Sequence, residues 1–412
     1  MRKQDSNKRI YFPGLTGLRF LAAITVVFCH VEEFKYIFGI RETNTWNLHF
    51  FSLMGELAVT FFFVLSGFLI TYLLLVEKEK TGTIAMKQFY MRRVLRIFPL
   101  YYFTVALGLF VFPHFGMLDF PHWTAEITGN FWLKVLMYAF FLSNLAAASI
   151  FPIPYAVHTW SIGVEEQFYL LWPFLVKYFK KTFSLLVGII VVYLIVAKGF
   201  WYLDDLNTTF DTLGRENHNR LYQVLAGFFR FTRIDCMAIG GLGAYAIYLN
   251  QTKFLDFIFS KYFQLGLYGL VLTIFFTQTE FGYFTQEVYA ILFALIILNI
   301  GNNKNTFFQL EHPAFKYLGK ISYGLYMYNY LCVRLAIIVT QYFFGKNTLL
   351  GWQGNIMLYL LAVIFTTALA ALSYEYFEKR FLRLKHRFTV VKSGEVFQPK
   401  VTEMEFPFVE KR

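Results

Sequence analysis

Charge is scarce in this 412-residue chain: Asp, Glu, Lys and Arg make up 16% of it, against 57% hydrophobic residues. So little charge cannot clothe two or three soluble domains, which excludes a soluble enzyme. Cysteine is limited to Cys29, Cys236 and Cys332, each inside an apolar run, so there is no disulfide framework and all three read as small core residues. The short alternating segments of a transmembrane β-barrel are missing, because stretches such as FSLLVGIIVVYLIVA are continuously apolar. The N-terminus MRKQDSNKRIYFPGLTGLRF lacks a small-residue cleavage site, and the first apolar stretch is expected to be retained as a helix. No internal repeat of the kind many transporters carry is visible. The longest polar stretch, from Lys379 onward, is too short and too charged for a core of its own.

What is present is a series of apolar windows near 17–38, 54–76, 97–112, 133–151, 161–179, 183–203, 235–249, 263–279, 286–301, 320–343 and 355–376. Most approach the length of about 20 residues that a helix needs to cross the hydrocarbon. Eleven spans would put the lysines after Trp172 and the basic C-terminus on opposite sides. Treating the Pro-interrupted 133–160 region as re-entrant leaves about ten, with both termini cytoplasmic and about three times as many basic residues inside as outside. The expected fold is therefore all-α and polytopic, in the plasma (inner) membrane. A membrane domain is expected over 1–384, followed by a cytoplasmic tail over 385–412. On this reading the net charge of +12 is a topology signal and a potential site for anionic cofactors, with no nucleic-acid partner implied.

Ionisable groups within apolar helices are costly and default to functional hypotheses. Arg19 and His30 are eleven positions apart, three turns plus about 20°, so they share one face of the first helix with a rise of about 16 Å between them. An anion clamp below a titratable base is one reading; a snorkelling arginine and a hydrogen-bonded core histidine is the other. Cys29 and His30 point about 100° apart and are not a dyad. Arg93 and Arg96 lie three apart on one face at an expected helix start. They suit either phosphate binding or topology determination. In HTWSIGVEEQFYLLWP, Glu165 follows Ser161 by four residues. It is either dipole-favoured near a helix start or placed to orient a hydroxyl or an imidazole in a cavity.

Arg233 and Asp235 are expected to find separate partners on neighbouring helices. Gly240, Gly241 and Gly243, with Ser66–Gly67 and Ser322–Tyr323–Gly324, read as close helix contacts. Trp46, Trp123, Trp201 and Tyr222 in outer loops can stack on sugar rings, although interfacial anchoring is their commoner use. Asn207–Thr208–Thr209 matches a glycosylation sequon. No metal-ligating pattern emerges.

With these residues in hand, the chain resembles the acyltransferase-3 family of integral-membrane acyltransferases, which modify sugars and other extracytoplasmic acceptors. GLTGLRFLAAITVVFCH looks like its first-helix signature. GELAVTFFFVLSGFLIT, RRVLRIFPLYY, HTWSIGVEEQFYLLWP, FTRIDCMAIGGLGA and GKISYGLYMYNY resemble the later blocks in order, from about Phe12 to Leu384. The resemblance implies ten helices, a cytoplasmic acyl-CoA donor, His30 as the catalytic residue, Arg93 and Arg96 as donor-binding residues, and Glu165 as the family's glutamate. Arg19 would then hold the donor's phosphates. Three positions depart from the pattern: Thr60 replaces a common Asp, Asn329 a common His, and Arg380 a common Pro. The second argues against an additional proton shuttle at that site. The implied reaction is transfer of an acyl group, acetyl first among them, from acetyl-CoA to a hydroxyl of an extracytoplasmic glycan. The rival readings are a secondary transporter or flippase without chemistry, and a membrane scaffold.

Overall fold

The computed structural model describes residues 10–40, 43–45, 49–120, 129–212, 220–345 and 351–391. Trp46 and Trp123 lie outside the described residues, as does the C-terminal segment beyond 391. Among the described residues the regular structure is helical. The helices are α1 (Leu15–Ile37), α2 (His49–Thr81), α3 (Met86–Ala106), α4 (Phe131–Ala139), α5 (Ser143–Ser149), α6 (Trp160–Tyr178), α7 (Thr182–Thr212) and α8 (Arg220–Thr232). They continue with α9 (Ile234–Tyr248), α10 (Thr252–Ile258), α11 (Lys261–Phe276), α12 (Thr285–Asn302), α13 (Pro313–Lys320), α14 (Ser322–Phe344), α15 (Gly351–Ser373) and α16 (Lys379–Lys385).

Among the described residues, six stretches are long and apolar enough to cross a membrane: Leu15–Ile37, Phe50–Thr81, Met86–His114, Thr182–Thr208, Gly282–Asn302 and Gly351–Phe388. The pair α10 and α11, bent by 61°, adds a seventh if it forms one span. The chain is thus built as an integral membrane protein. In the 133–160 region, α4 and α5 have 9 and 7 residues. At about 1.5 Å per residue neither crosses roughly 30 Å of hydrocarbon. Left-handed Phe141 and Tyr155 reverse the chain on either side of α5.

The core is organised around α1, which packs against α2, α14 and α13, while α9 lies along α2 and contacts α7 and α12. Glycine sets the α2–α9 approach. A β-carbon at Gly67 would fall on the Met237 carbonyl oxygen, and one at Gly240 on the Val64 carbonyl oxygen. The small-residue reading of Ser66–Gly67 and Gly240 therefore holds for the glycines.

At its C-terminal end α1 is tied to α15. The buried Lys35 ammonium donates to Glu32 Oε1 (2.6 Å) and Asn355 Oδ1 (2.9 Å), and the Tyr359 hydroxyl donates to Glu32 Oε1 (2.5 Å). At its N-terminal end, Glu311 accepts from the Gly14 amide, the Tyr11 hydroxyl and Lys316 Nζ (2.7 Å). Partial burial would raise the Glu311 carboxyl, but Lys316, the Gly14 N–H and Tyr11 outweigh it and hold the group below the usual carboxylate range.

Helix α3 begins at Met86, well before the apolar window at 97. Arg93 and Arg96 consequently lie in its second and third turns, beyond the first-turn reach of a helix N-terminus. The expectation that they stand at a helix start is corrected accordingly. Glu165 likewise falls in the second turn of α6, whose first turn carries no acidic residue. Asn207 is buried within α7, so the sequon is not displayed. Past Leu384 the chain remains packed as far as Phe388, whose carbonyl accepts from Arg92 Nη1 (2.8 Å).

Candidate active site

Arg19 of α1, Arg93 and Arg96 of α3, and Glu165 of α6 line one cavity of about 100 Å³. Ser66 of α2, Tyr169 of α6, and Tyr323 and Tyr326 of α14 complete its polar wall. Sequence spacing alone left these arginines open between phosphate-binding groups and anchors or topology signals; the helix packing makes them neighbours.

Glu165 accepts from Ser66 Oγ (2.7 Å) and from the Tyr169 hydroxyl (3.0 Å). It thus orients hydroxyls, as one reading of its sequence position allowed, but it sits with the arginines rather than beside His30. The Arg93 guanidinium lies over the rings of Tyr169 (5.4 Å) and Phe89 (5.8 Å), and its buried Nε has no hydrogen-bond partner. No ion pair links Arg19, Arg93 or Arg96 to a carboxylate among the described residues. Elsewhere in the chain buried cations are paired: Arg92 with Glu77 (3.3 Å), Lys198 with Glu287 (2.7 Å) and Arg233 with Glu56 (2.9 Å). Three convergent cations that make no direct ion pair, one carrying an orphaned N–H, fit an anionic ligand such as the phosphates of an acyl-CoA.

His30 lies further along the same face of α1, and both it and Arg19 look toward α14. Its Nδ1 is 2.5 Å from Asn329 Oδ1. The Asn329 amide nitrogen donates to the Tyr326 carbonyl, which fixes the amide's orientation and leaves Oδ1 to accept from the imidazole. His30 is therefore held with its proton on Nδ1 and its lone pair on Nε2. That nitrogen faces Glu33 Oε2 at 3.8 Å, and the Tyr330 hydroxyl donates to the same oxygen (3.0 Å). Asn329, which looked like a loss at the sequence level, instead supplies the imidazole's positioning contact. Glu33 and Tyr330 were missed, although Glu33 lies three residues after His30 on the same helix face.

Between the cavity and His30 stands a polar seal. The Tyr326 hydroxyl donates to the His158 carbonyl (2.7 Å) and is 2.7 Å from Ser161 Oγ. The His158 ring stacks on Tyr330 with centroids 4.8 Å apart, and lies 5.2 Å from the Tyr326 ring and 6.2 Å from that of His30.

Of the other residues singled out, Arg233, Asp235, Trp201 and Tyr222 lie outside this cavity. Arg233 binds Glu56 Oε2 and contacts Thr60 Oγ1 and Gln286 Oε1 (both 3.2 Å), so it and Asp235 are not paired with each other. Thr60, the departure from Asp, belongs to this network. Trp201 donates to the Ala226 carbonyl (3.0 Å), and the Lys198 ammonium lies 4.1 Å from its ring centroid, so one face is already engaged. Tyr222 is half-buried in α8.

A family model described as "Acyltransferase domain", of the acyltransferase-3 type, matches residues 12–375. Among curated relatives, "Peptidoglycan O-acetyltransferase OatA" of Listeria monocytogenes is 26% identical over 395 residues, covering 92% of this chain and 57% of that protein. "O-acetyltransferase OatA" of Staphylococcus aureus is 25% identical over 390 residues, covering 89% of this chain and 57% of that protein. The chain thus spans little more than half the length of these relatives. No solved structure matches. The ordered blocks of sequence, the helical membrane architecture and the match over most of its length together show that the chain belongs to the acyltransferase-3 family.

Proposed function

We propose that this protein transfers an acetyl group from cytoplasmic acetyl-CoA to a hydroxyl of an extracytoplasmic cell-envelope glycan. The observation that carries the reading is the cluster of Arg19, Arg93 and Arg96, which makes no direct ion pair among the described residues, on the side of Tyr326 away from His30. A cavity of about 100 Å³ is far below the roughly 300 Å³ or more of a site that encloses a drug-sized ligand. It suits the thin thioester arm of the donor, with the nucleotide end outside against the cytoplasmic mouth. The glycan assignment draws on the relatives' names, peptidoglycan being the acceptor named for the Listeria protein.

His30 acts as general base. Its Nε2 takes the proton of the acceptor hydroxyl as the oxygen attacks the thioester carbonyl, Glu33 offsets the resulting imidazolium, and the proton passes to the departing thiolate. Asn329 keeps the lone pair on the reacting nitrogen. Arg19, Arg93 and Arg96 bind the donor, and Glu165 holds Ser66 and Tyr169 in the cavity wall.

This mechanism places both termini in the cytoplasm: an even count of ten spans puts them on one side, and the bias of basic residues in the sequence supports the cytoplasmic one. Helices α6, α9 and α14 bring the seven apolar stretches to ten. Helices α6 and α14 carry polar residues that face other helices instead of lipid, and α9, at 15 residues, is a short interior helix. The membrane unit is assigned to 1–384 and the cytoplasmic tail to 385–412.

The test is purified protein in lipid nanodiscs with labelled acetyl-CoA and a peptidoglycan fragment. Label on the glycan, or hydrolysis of the donor, supports acyl transfer. Movement of acetyl-CoA or glycan across vesicles without either reaction favours a transporter and rejects the proposal.

A further inference from the structure

The His158 side chain is 2% exposed, and neither ring nitrogen has a hydrogen-bond partner. The Met327 backbone approaches the ring without making a bond of ordinary geometry. A neutral imidazole always carries one N–H, and burying it without an acceptor is unfavourable unless a ligand supplies one. The surroundings indicate which ligand. The ring lies between Tyr326, which lines the donor cavity, and His30, which stands beyond it. The Tyr326 hydroxyl is already committed to the His158 carbonyl and Ser161.

We propose that His158 is a catalytic residue that donates its ring N–H to the carbonyl oxygen of the acyl thioester and holds the oxyanion as the tetrahedral intermediate forms. The assignment rests on the acyl-transfer reading above. The two histidines differ in the way this division of labour requires. His30 has a fixed tautomer through Asn329 and a carboxylate, Glu33, beside its free nitrogen, which suits a group that becomes cationic. His158 is enclosed by the rings of Tyr326, Tyr330 and His30, which suits a group that stays neutral and donates.

The acceptor oxygen bonds to the carbonyl carbon, its proton goes to His30 Nε2, and the carbonyl π pair moves onto oxygen, where His158 donates to it. Collapse returns that pair and breaks the carbon–sulfur bond. The thiolate leaves with the proton from His30 as free thiol.

The experiment compares full-length wild type, His158→Phe and His158→Gln in nanodiscs with acetyl-CoA and a glycan acceptor. Phe keeps a ring against Tyr330 without a donor, whereas Gln restores an N–H. Loss of one oxyanion donor is expected to lower kcat about 100- to 1000-fold in His158→Phe. The KM for acetyl-CoA should stay within about threefold and the pH–rate profile should keep its wild-type shape. His158→Gln should regain at least about tenfold of the lost rate. Should His158→Phe not accumulate, His158→Ala takes its place with the same expectation. Near-wild-type turnover without the donor, a Gln variant no better than Phe, or an acetyl group trapped on His158 overturns the assignment. Folded wild type that neither transfers nor hydrolyses the donor overturns the acyl-transfer reading itself.

Discussion

His30 Nδ1 and Asn329 Oδ1 meet at 2.5 Å across the α1–α14 interface. Because the other end of the Asn329 amide is bound to the Tyr326 carbonyl, the contact leaves one imidazole nitrogen free and fixes which one. His30→Ala should abolish acetyl transfer while the protein still folds, and Asn329→Ala should lower kcat by about tenfold without changing the KM for acetyl-CoA. That loss corresponds to about one charge-neutral hydrogen bond. Steady-state kinetics on both variants checks it; full activity in His30→Ala removes this histidine from the chemistry.

Arg93→Ala and Arg96→Ala should each weaken acetyl-CoA binding by about 1–3 kcal/mol, the range for a lost charge-assisted hydrogen bond. Calorimetric titration of the purified variants measures this directly. Unchanged affinity would return both arginines to a topological role.

Arg19 separates two roles by substitution with lysine. A snorkelling anchor tolerates Arg19→Lys, whereas a planar phosphate clamp does not. The variant should insert normally and show a severalfold rise in the KM for acetyl-CoA. If Arg19→Ala also keeps wild-type kinetics in a correctly inserted protein, the cavity is not the donor path.

Glu165→Ala removes the acceptor for Ser66 and Tyr169 together. It should destabilise the protein by about 1–3 kcal/mol through two unsatisfied hydroxyls, with Glu165→Gln closer to wild type. Thermal unfolding in detergent distinguishes the two. Equal melting temperatures for wild type and Glu165→Ala would show that the hydroxyls find other acceptors.

Glu311 has a depressed carboxyl pKa in the folded chain. Its stabilising contribution is therefore complete well above the unfolded value of about 4.3 and fades as pH falls through the lower folded value. At 34% side-chain exposure the Glu311–Lys316 pair is worth no more than about 1 kcal/mol. The melting-temperature gap between wild type and Glu311→Gln should be largest near neutrality and close on acidification below about pH 4. A gap that widens on acidification contradicts the assignment.

Much of this architecture could be read from the sequence. The windows at 161–179, 235–249 and 286–301 became α6, α9 and α12 with ends shifted by a residue, because continuous apolar runs leave little freedom of placement. The start of α3 at Met86 was not legible, since a charged extension of an apolar helix has no apolar signature. Arg19, Arg93, Arg96 and Glu165 were each visible as costly charges in apolar surroundings. Their convergence was not, because it depends on the packing of α1, α3, α6 and α14. Asn329 was read only for the titratable group it lacks; its use as a hydrogen-bond acceptor for His30 was not legible because it depends on the packing of α1 against α14.

The hydroxyl and carbonyl contacts joining Tyr326, Ser161 and His158 have an electrical consequence. In the proposed orientation, water entering the cavity carries the cytoplasmic potential inward as far as Tyr326, so the membrane's insulating layer is locally much thinner than its hydrocarbon. One elementary charge crossing the full potential gains or loses about 2.3 kcal/mol per 100 mV. The remaining drop then falls across the segment of the protein beyond Tyr326, which holds His30. Charge moving between the acceptor hydroxyl, His30 and the departing thiolate is displaced along this concentrated field, which makes turnover responsive to the energised state of the cell.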